Sequence, residues 1–262
     1  MLCDAHNHLH DAKLAPFIDE LLPALAVSKI GRAMVNGTCE ADWAAVENVC
    51  RRWSGAQPSF GLHPWKVKER SPAWDRTLEA LLERHPRAGV GEIGLDRWIR
   101  DFDLADQLLV FKRQLELAEK WQRSVSIHCL RAWGALLETM QNHAGRLPGF
   151  LLHSYSGPAE MVGPFTKLGA YFSFSAAFLQ PGKEAKREVF QNIPANRLLI
   201  ESDAPDMAPP IELKRHALPD PNLNHPANLV VALEGLAQLR GIPPAELAAI
   251  TSASFSCLFG VA

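Results

Sequence analysis

The sequence predicts a (β/α)8 barrel, and three observations predict it. The chain has the length of one, strand-like and helix-like stretches alternate eight times along it, and the residues with chemistry in them fall at the ends of the strand-like stretches. At 262 residues it suits one large domain over 1–262, and α/β barrels fill this range as single units. Apolar residues at 47% and charged residues at 21% give an ordinary soluble composition with ample core.

The first strand is Cys3 to His8. Side chains alternate along a strand, so Asp4, His6 and His8 are expected on one face. Two imidazoles two residues apart can converge on one metal ion, and the interleaved residues set the stretch apart from a tag. Leu14, Phe17, Leu21, Leu22 and Leu25 recur at helical spacing, which predicts a helix over 15–28. A second strand follows at 32–38, then a helix over 42–53 with Asp42 as N-cap. Ser59 to Pro64 is the third strand, closed by proline. The next helix spans 72–85, with Ser71 as cap and Pro72 at its first position.

The fourth strand, 88–96, carries Glu92 and Asp96. A long amphipathic helix over 104–122 leads to the fifth strand at 124–129, and a helix over 131–143 to the sixth at 149–154. Helices over 158–168 and 183–193 flank the seventh strand at 170–175, and 198–203 is the eighth. Extra C-terminal helices over 226–240 and 243–259 close the chain. The proline-rich stretch 204–224 follows the last strand, where a barrel places a loop over its mouth.

Lys+Arg 27 against Asp+Glu 29, a formal charge of −2, argues against gripping nucleic acid by bulk charge. It leaves room for a metal centre to supply positive charge. Five cysteines without a CxxC pair read as reduced, mostly buried thiols of a cytoplasmic protein. No signal-peptide pattern is visible, and no apolar run approaches the ~18 residues needed to span a bilayer. No membrane association is expected; oligomeric state is not legible.

The polar residues cluster by position. His6, His8, His63, Glu92, Asp96, His128, His153 and Asp203 all stand at strand ends, which in a barrel form one rim, where barrel enzymes place their sites. Histidines and acids converging there can hold two divalent ions bridged by a carboxylate, which lowers the pKa of a shared water and stabilises charge on an attacked phosphoryl or carbonyl group. For any single histidine the alternative, a strand cap bonded to backbone, is the simpler reading. For six candidate ligands, histidines and acids together, on different strand ends it is not.

Six segments then carry a resemblance: Asp4-Ala5-His6-Asn7-His8, Gly61-Leu62-His63-Pro64, Gly91 to Asp96, Ile127-His128-Cys129, His153 to Gly157, and Glu201 to Pro205. In this order they resemble the TatD family of metal-dependent hydrolases. The resemblance implies two divalent ions (zinc, magnesium or manganese), with His6, His8 and Asp203 on one, His128 and His153 on the other, and Glu92 bridging. It implies that Asp203 orients or deprotonates the attacking water and that His63 contacts the scissile phosphate. The implied function is a deoxyribonuclease whose substrate is DNA, with single-stranded ends the expected form.

The sequence departs from the family pattern at two places. Many members carry an arginine two residues after the fifth-strand histidine, where this chain has Leu130 and then Arg131. Many carry Asn-Glu-Pro where this chain has Asn224-His225-Pro226. Around the rim, Trp65, Trp98, Trp133 and Tyr155 stand near Arg97, Arg100 and Arg131, a pairing that suits single-stranded nucleic acid; packing of rim loops is the competing reading for each. Trp65, Tyr155 and Arg131 are the expected substrate contacts, with His63. Asp96 and Glu201 are expected behind the ligands, with Asp4 bracing the histidine pair. Cys129 reads as core. Two rival functions are a hydrolase of a small ester, amide or lactone at the same rim, and a metal-binding scaffold without turnover.

Overall fold

Eight parallel strands follow one another around a single sheet in strict sequence order. The computed structural model describes residues 1–260. The strands are β1 (Leu2–Asn7), β2 (Ile30–Asn36), β3 (Ala56–Phe60), β4 (Gly89–Asp96), β5 (Val125–Leu130), β6 (Phe150–Leu152), β7 (Ala170–Ser175) and β8 (Leu198–Glu201). The seam is closed just past their ends: the Asp203 N–H donates to the His6 carbonyl at 3.0 Å, and the His8 N–H to that of Ala204 at 2.8 Å. This is the barrel expected from the alternation.

The longer helices are α1 (Ile18–Val27), α2 (Trp43–Arg52), α3 (Trp74–Arg84), α4 (Leu104–Trp121) and α5 (Trp133–Gln141). The short α6 (Val162–Lys167) and α7 (Glu184–Glu188) come next, then α8 (Leu229–Arg240) and α9 (Pro244–Phe259). They lay apolar faces against the outside of the sheet. Leu21 and Leu25 of α1, Leu78, Leu81 and Leu82 of α3, and Phe111 and Leu115 of α4 are all buried there. Among the described residues no single helix is long and apolar enough to cross a membrane.

Several local expectations give way to finer geometry. Ser71 does not cap α3, which starts two residues later than expected behind Ala73. Pro72 sits instead in a turn, where Ser71 Oγ accepts the Ala73 N–H at 3.2 Å. Asp42 does precede α2, but its carboxylate turns back to take the Thr38 N–H and hydroxyl at 2.9 and 2.6 Å. The helices expected over 158–168 and 183–193 are short α-turns joined to one-turn 3-10 segments. Of the cysteines, Cys3 and Cys129 are buried, whereas Cys257 is exposed on α9.

Inside the barrel the side chains form layers. At the floor, Phe255, Leu258 and Phe259 of α9 pack with Cys3, Met34, Leu151 and Leu199 from the strands. Above them lie small buried polar groups, Asn36, Ser59, Ser126 and Ser173. The upper layer is the site. One glycine sets its height: Gly94 has φ 147°, and a Cβ there would come within 1.9 Å of the His128 carbonyl oxygen. Only glycine lets β4 lie that close to β5.

Candidate metal centre

Glu92 is the centre of the arrangement. It is 2% exposed, and its two oxygens face two groups of side chains. Oε2 lies 3.3 Å from His6 Nε2 and 3.2 Å from His8 Nε2. Asp203 Oδ1 completes that side, 3.7 and 3.6 Å from the same nitrogens. Oε1 lies 2.8 Å from His153 Nε2, 3.1 Å from His128 Nδ1 and 3.4 Å from His63 Nε2. Four overlapping groups of three ligand atoms result, each compact enough for one ion: His6/His8/Asp203, His6/Glu92/His153, His63/Glu92/His128 and His153/Glu201/Asp203.

The outer partners decide which nitrogen each imidazole turns inward. His8 Nδ1 is 2.7 Å from the Asn36 carbonyl oxygen, which can only accept, so Nδ1–H donates there and Nε2 is the nitrogen turned into the site. His128 Nε2 is 2.8 Å from Asp96 Oδ2, so its Nδ1 lone pair faces Glu92. His6 Nδ1 pairs with Ser126 Oγ at 2.7 Å. His63 is the opposite case. Its Nδ1 accepts the Trp65 backbone N–H at 3.2 Å, which leaves Nε2–H as a donor aimed into the site.

These residues fit divalent ions. Lone pairs converge: His6 Nε2 and His8 Nε2 stand 3.4 Å apart beside two carboxylates. Among the described residues, the ion-pair partners of Glu92 and Asp203 are histidines alone. His153 Nδ1 is buried without a hydrogen-bond partner, 3.6 Å from Glu201 Oε1.

Burial and charge pull the titrations apart. Burial alone would raise Glu92, but the imidazoles of His153, His63 and His6 hold it well below the usual carboxylate range. Burial pushes Asp203 up to about 8, with Glu201 and Glu92 adding to the rise against His153 and His8. Burial lowers His6 and His63 to about 4. For His8, burial is overcome by Glu92 and Asp203, which raise it to about 9. Divalent cations held by the same groups would favour the ionised Asp203 carboxylate and the neutral His8 imidazole.

The backbone strains to present two of these groups. Ser154, just after His153, and Asp203 hold φ of 39° and 50°, left-handed values that cost a non-glycine residue energy and gather at functional sites.

The remaining expected residues divide. Asp96 lies behind His128 as expected, and also accepts the Trp65 indole N–H at 2.7 Å. Glu201, fully buried, takes the hydroxyls of Ser154 and Ser173. Asp4 reaches no imidazole ring. A register shift between Asp4 and Asn7 breaks the alternation of β1, so its carboxylate takes the Ser202 N–H at 2.9 Å, the Ser202 hydroxyl, and Asn7 Nδ2 at 3.0 Å. It braces β1 against β8, and the histidines only through backbone.

Tyr155 corrects the expectation of a substrate contact. It is 0% exposed, its hydroxyl donates to the Pro158 carbonyl at 2.7 Å, and its ring packs between Trp133 and Phe172. Arg131 is exposed and lies over Trp98 rather than over the cluster. His225 caps the turn before α8: its Nδ1 accepts the Ala227 N–H at 3.0 Å and its ring stacks on His216. His10 escaped notice, although it continues the every-second-residue run of His6 and His8. It is buried, 3.4 Å from Asp42, with its ring 5.9 Å from that of His8.

A parallel eight-stranded barrel whose mouth gathers imidazoles around a shared carboxylate defines a class, the metal-dependent barrel hydrolases. The model of the family described as TatD related DNase matches residues 3–260, and the chain belongs to that family. It is 29% identical over 262 residues to the 3'-5' ssDNA/RNA exonuclease TatD of Salmonella typhimurium strain LT2, covering 98% of each. It is 26% identical, over an alignment 266 positions long, to the uncharacterized metal-dependent hydrolase YabD of Bacillus subtilis strain 168, covering 100% of each. The crystal structure of YJJV, a TatD homolog from Escherichia coli K12, matches with a TM-score of 0.90 and 26% identity, over 100% of this chain and 98% of that one.

Proposed function

We propose that this protein is a divalent-metal-dependent deoxyribonuclease that hydrolyses phosphodiester bonds of single-stranded DNA with two ions. The observation that carries the reading is the division at Glu92, whose Oε2 faces His6, His8 and the Asp203 side while Oε1 faces His128 and His153. That is the donor set a bridged pair requires. Relatives named as single-stranded DNA/RNA exonucleases, aligned over nearly the whole chain, support the choice of substrate. Zinc, manganese and magnesium are the candidate ions, since histidine–carboxylate sets admit each. The free thiols suit a reducing cytoplasm.

Bound ions would supply an activated water and stabilise charge at the attacked phosphorus. The side chains do the rest. His6, His8 and His128 hold their inward nitrogens in place through the outer bonds to Ser126, Asn36 and Asp96. Asp203 takes the proton from the attacking water at its carboxylate. His63 offers Nε2–H to a non-bridging phosphate oxygen, a bond that tightens as negative charge builds there.

The test is cleavage of an end-labelled single-stranded oligonucleotide by chelator-treated protein, with magnesium, manganese or zinc restored one at a time. Metal-dependent shortening is expected, and the ladder reads the polarity. Intact DNA under every metal, with turnover of a small ester or lactone, would overturn the reading. A matching oligoribonucleotide tests discrimination between DNA and RNA.

A further inference from the structure

Two large aromatic side chains stand in solvent beside the metal centre, and one carboxylate anchors both. Trp98 is 60% exposed and Trp65 is 53% exposed. Asp96 Oδ2 accepts the Trp65 indole N–H at 2.7 Å, and Oδ1 accepts the Trp98 backbone N–H at 2.5 Å. The same Oδ2 lies 2.8 Å from His128 Nε2. The positions of both tryptophans are therefore tied to the imidazole that faces Glu92. Trp65 is tied a second time, since its backbone N–H donates to His63 and its ring meets the His63 ring edge-on at 5.0 Å.

Trp98 is also backed. The Arg131 guanidinium carbon lies 3.8 Å from its ring centroid, so one face is covered by a cation while most of the side chain remains in water. Arg131 reaches it from a left-handed backbone at φ 56°. Exposed aromatics clustered at a site mark a contact surface. A ring paired with a guanidinium offers a nucleobase a stacking face and its phosphate a positive charge.

We propose that Trp98, backed by Arg131 and flanked by Trp65, is a nucleobase-stacking site that holds the unpaired base beside the scissile phosphodiester. The proposal rests on the nuclease reading and specifies the substrate: an unpaired end docks directly, whereas a paired base must first leave its stack.

The test compares oligonucleotides whose terminal residues are either normal or abasic, cut by the parent, Trp98→Ala and Trp98→Phe. Trp98 bonds Asp96 through its backbone N–H, so both variants keep that anchor. Stacking predicts that the parent prefers base-bearing over abasic ends about 10-fold or more in kcat/KM. The ratio should fall toward unity in Trp98→Ala and be largely kept in Trp98→Phe. No preference in the parent, or an undiminished one in Trp98→Ala, overturns the proposal. A second readout needs no turnover: in chelator, a short oligothymidylate should quench tryptophan fluorescence, with Kd weakened about 10-fold by Trp98→Ala. No binding by the parent, or equal Kd values, overturns it. Binding through Trp98 without cleavage under any metal would defeat the nuclease reading and leave the stacking site standing.

Discussion

Asp96 joins the outer bonding of the centre to its rim, and Asp96→Ala puts a number on that link. Its carboxylate is 0% exposed and accepts from His128, Trp65 and the Trp98 backbone. Trp65 and Trp98 stand half in water and can re-pair with solvent. His128 cannot do so readily, since its side chain is 11% exposed. The net loss therefore falls on the imidazole. A hydrogen bond to a charged partner contributes roughly 1.5–3 kcal/mol, equivalent to about 10- to 100-fold, the range found when an outer partner of a metal-binding histidine is removed. Asp96→Ala should lower kcat/KM on a single-stranded oligonucleotide, or metal affinity, by that factor. Asp96→Asn, which keeps an acceptor but not the charge, should fall between. Steady-state kinetics at saturating metal, metal titration, and a melting curve to show that the fold survives complete the assay. A change below about 2-fold in both kinetics and metal affinity for the alanine variant would refute the orienting role.

Two further outcomes follow from the geometry. Glu92→Gln removes the charge that both ligand groups share, so elemental analysis should show at least one ion lost and kcat/KM should fall by more than about 100-fold; a variant that keeps its full metal complement would end the bridging role. His225, lowered to about 4 by burial and by His216, binds its proton less readily folded than unfolded. Its contribution to stability is therefore present above pH ~6.5 and lost as pH falls through about 4. Partial solvent access keeps that contribution below about 3 kcal/mol. Denaturant unfolding across this window should show a smaller acid loss in His225→Asn, and an identical pH profile would remove His225 from the account.

The strands and the ligand candidates were legible because both are local. A strand announces itself by composition and by the turn that ends it, and barrel topology puts every strand end on one rim. What was not legible depends on register or on distant partners. The bulge between Asp4 and Asn7 turns Asp4 toward Ser202, and no alternation rule applied to β1 alone finds it. Tyr155 sits after a strand like the exposed tryptophans, yet folds under because the Pro158 carbonyl lies within reach of its hydroxyl. The roles of Ser126 and Asn36 in steering His6 and His8 need the barrel closed before they can be seen. Trp98 and Arg131 were each visible as rim residues; their stacking on one another was not.

The floor laid by α9 has a bearing on traffic. Phe255, Leu258 and Phe259 pack against the strands at the floor of the barrel, and the interior of an eight-stranded barrel is a packed core rather than a pore. Arrival and departure therefore share one doorway. For a polymeric substrate, whatever is clipped off must leave past the strand that delivered it, or wait until that strand backs away. Turnover on long chains would then be paced by retreat and re-entry at the mouth, and shortening the polymer should speed each round without altering the bond that is cut.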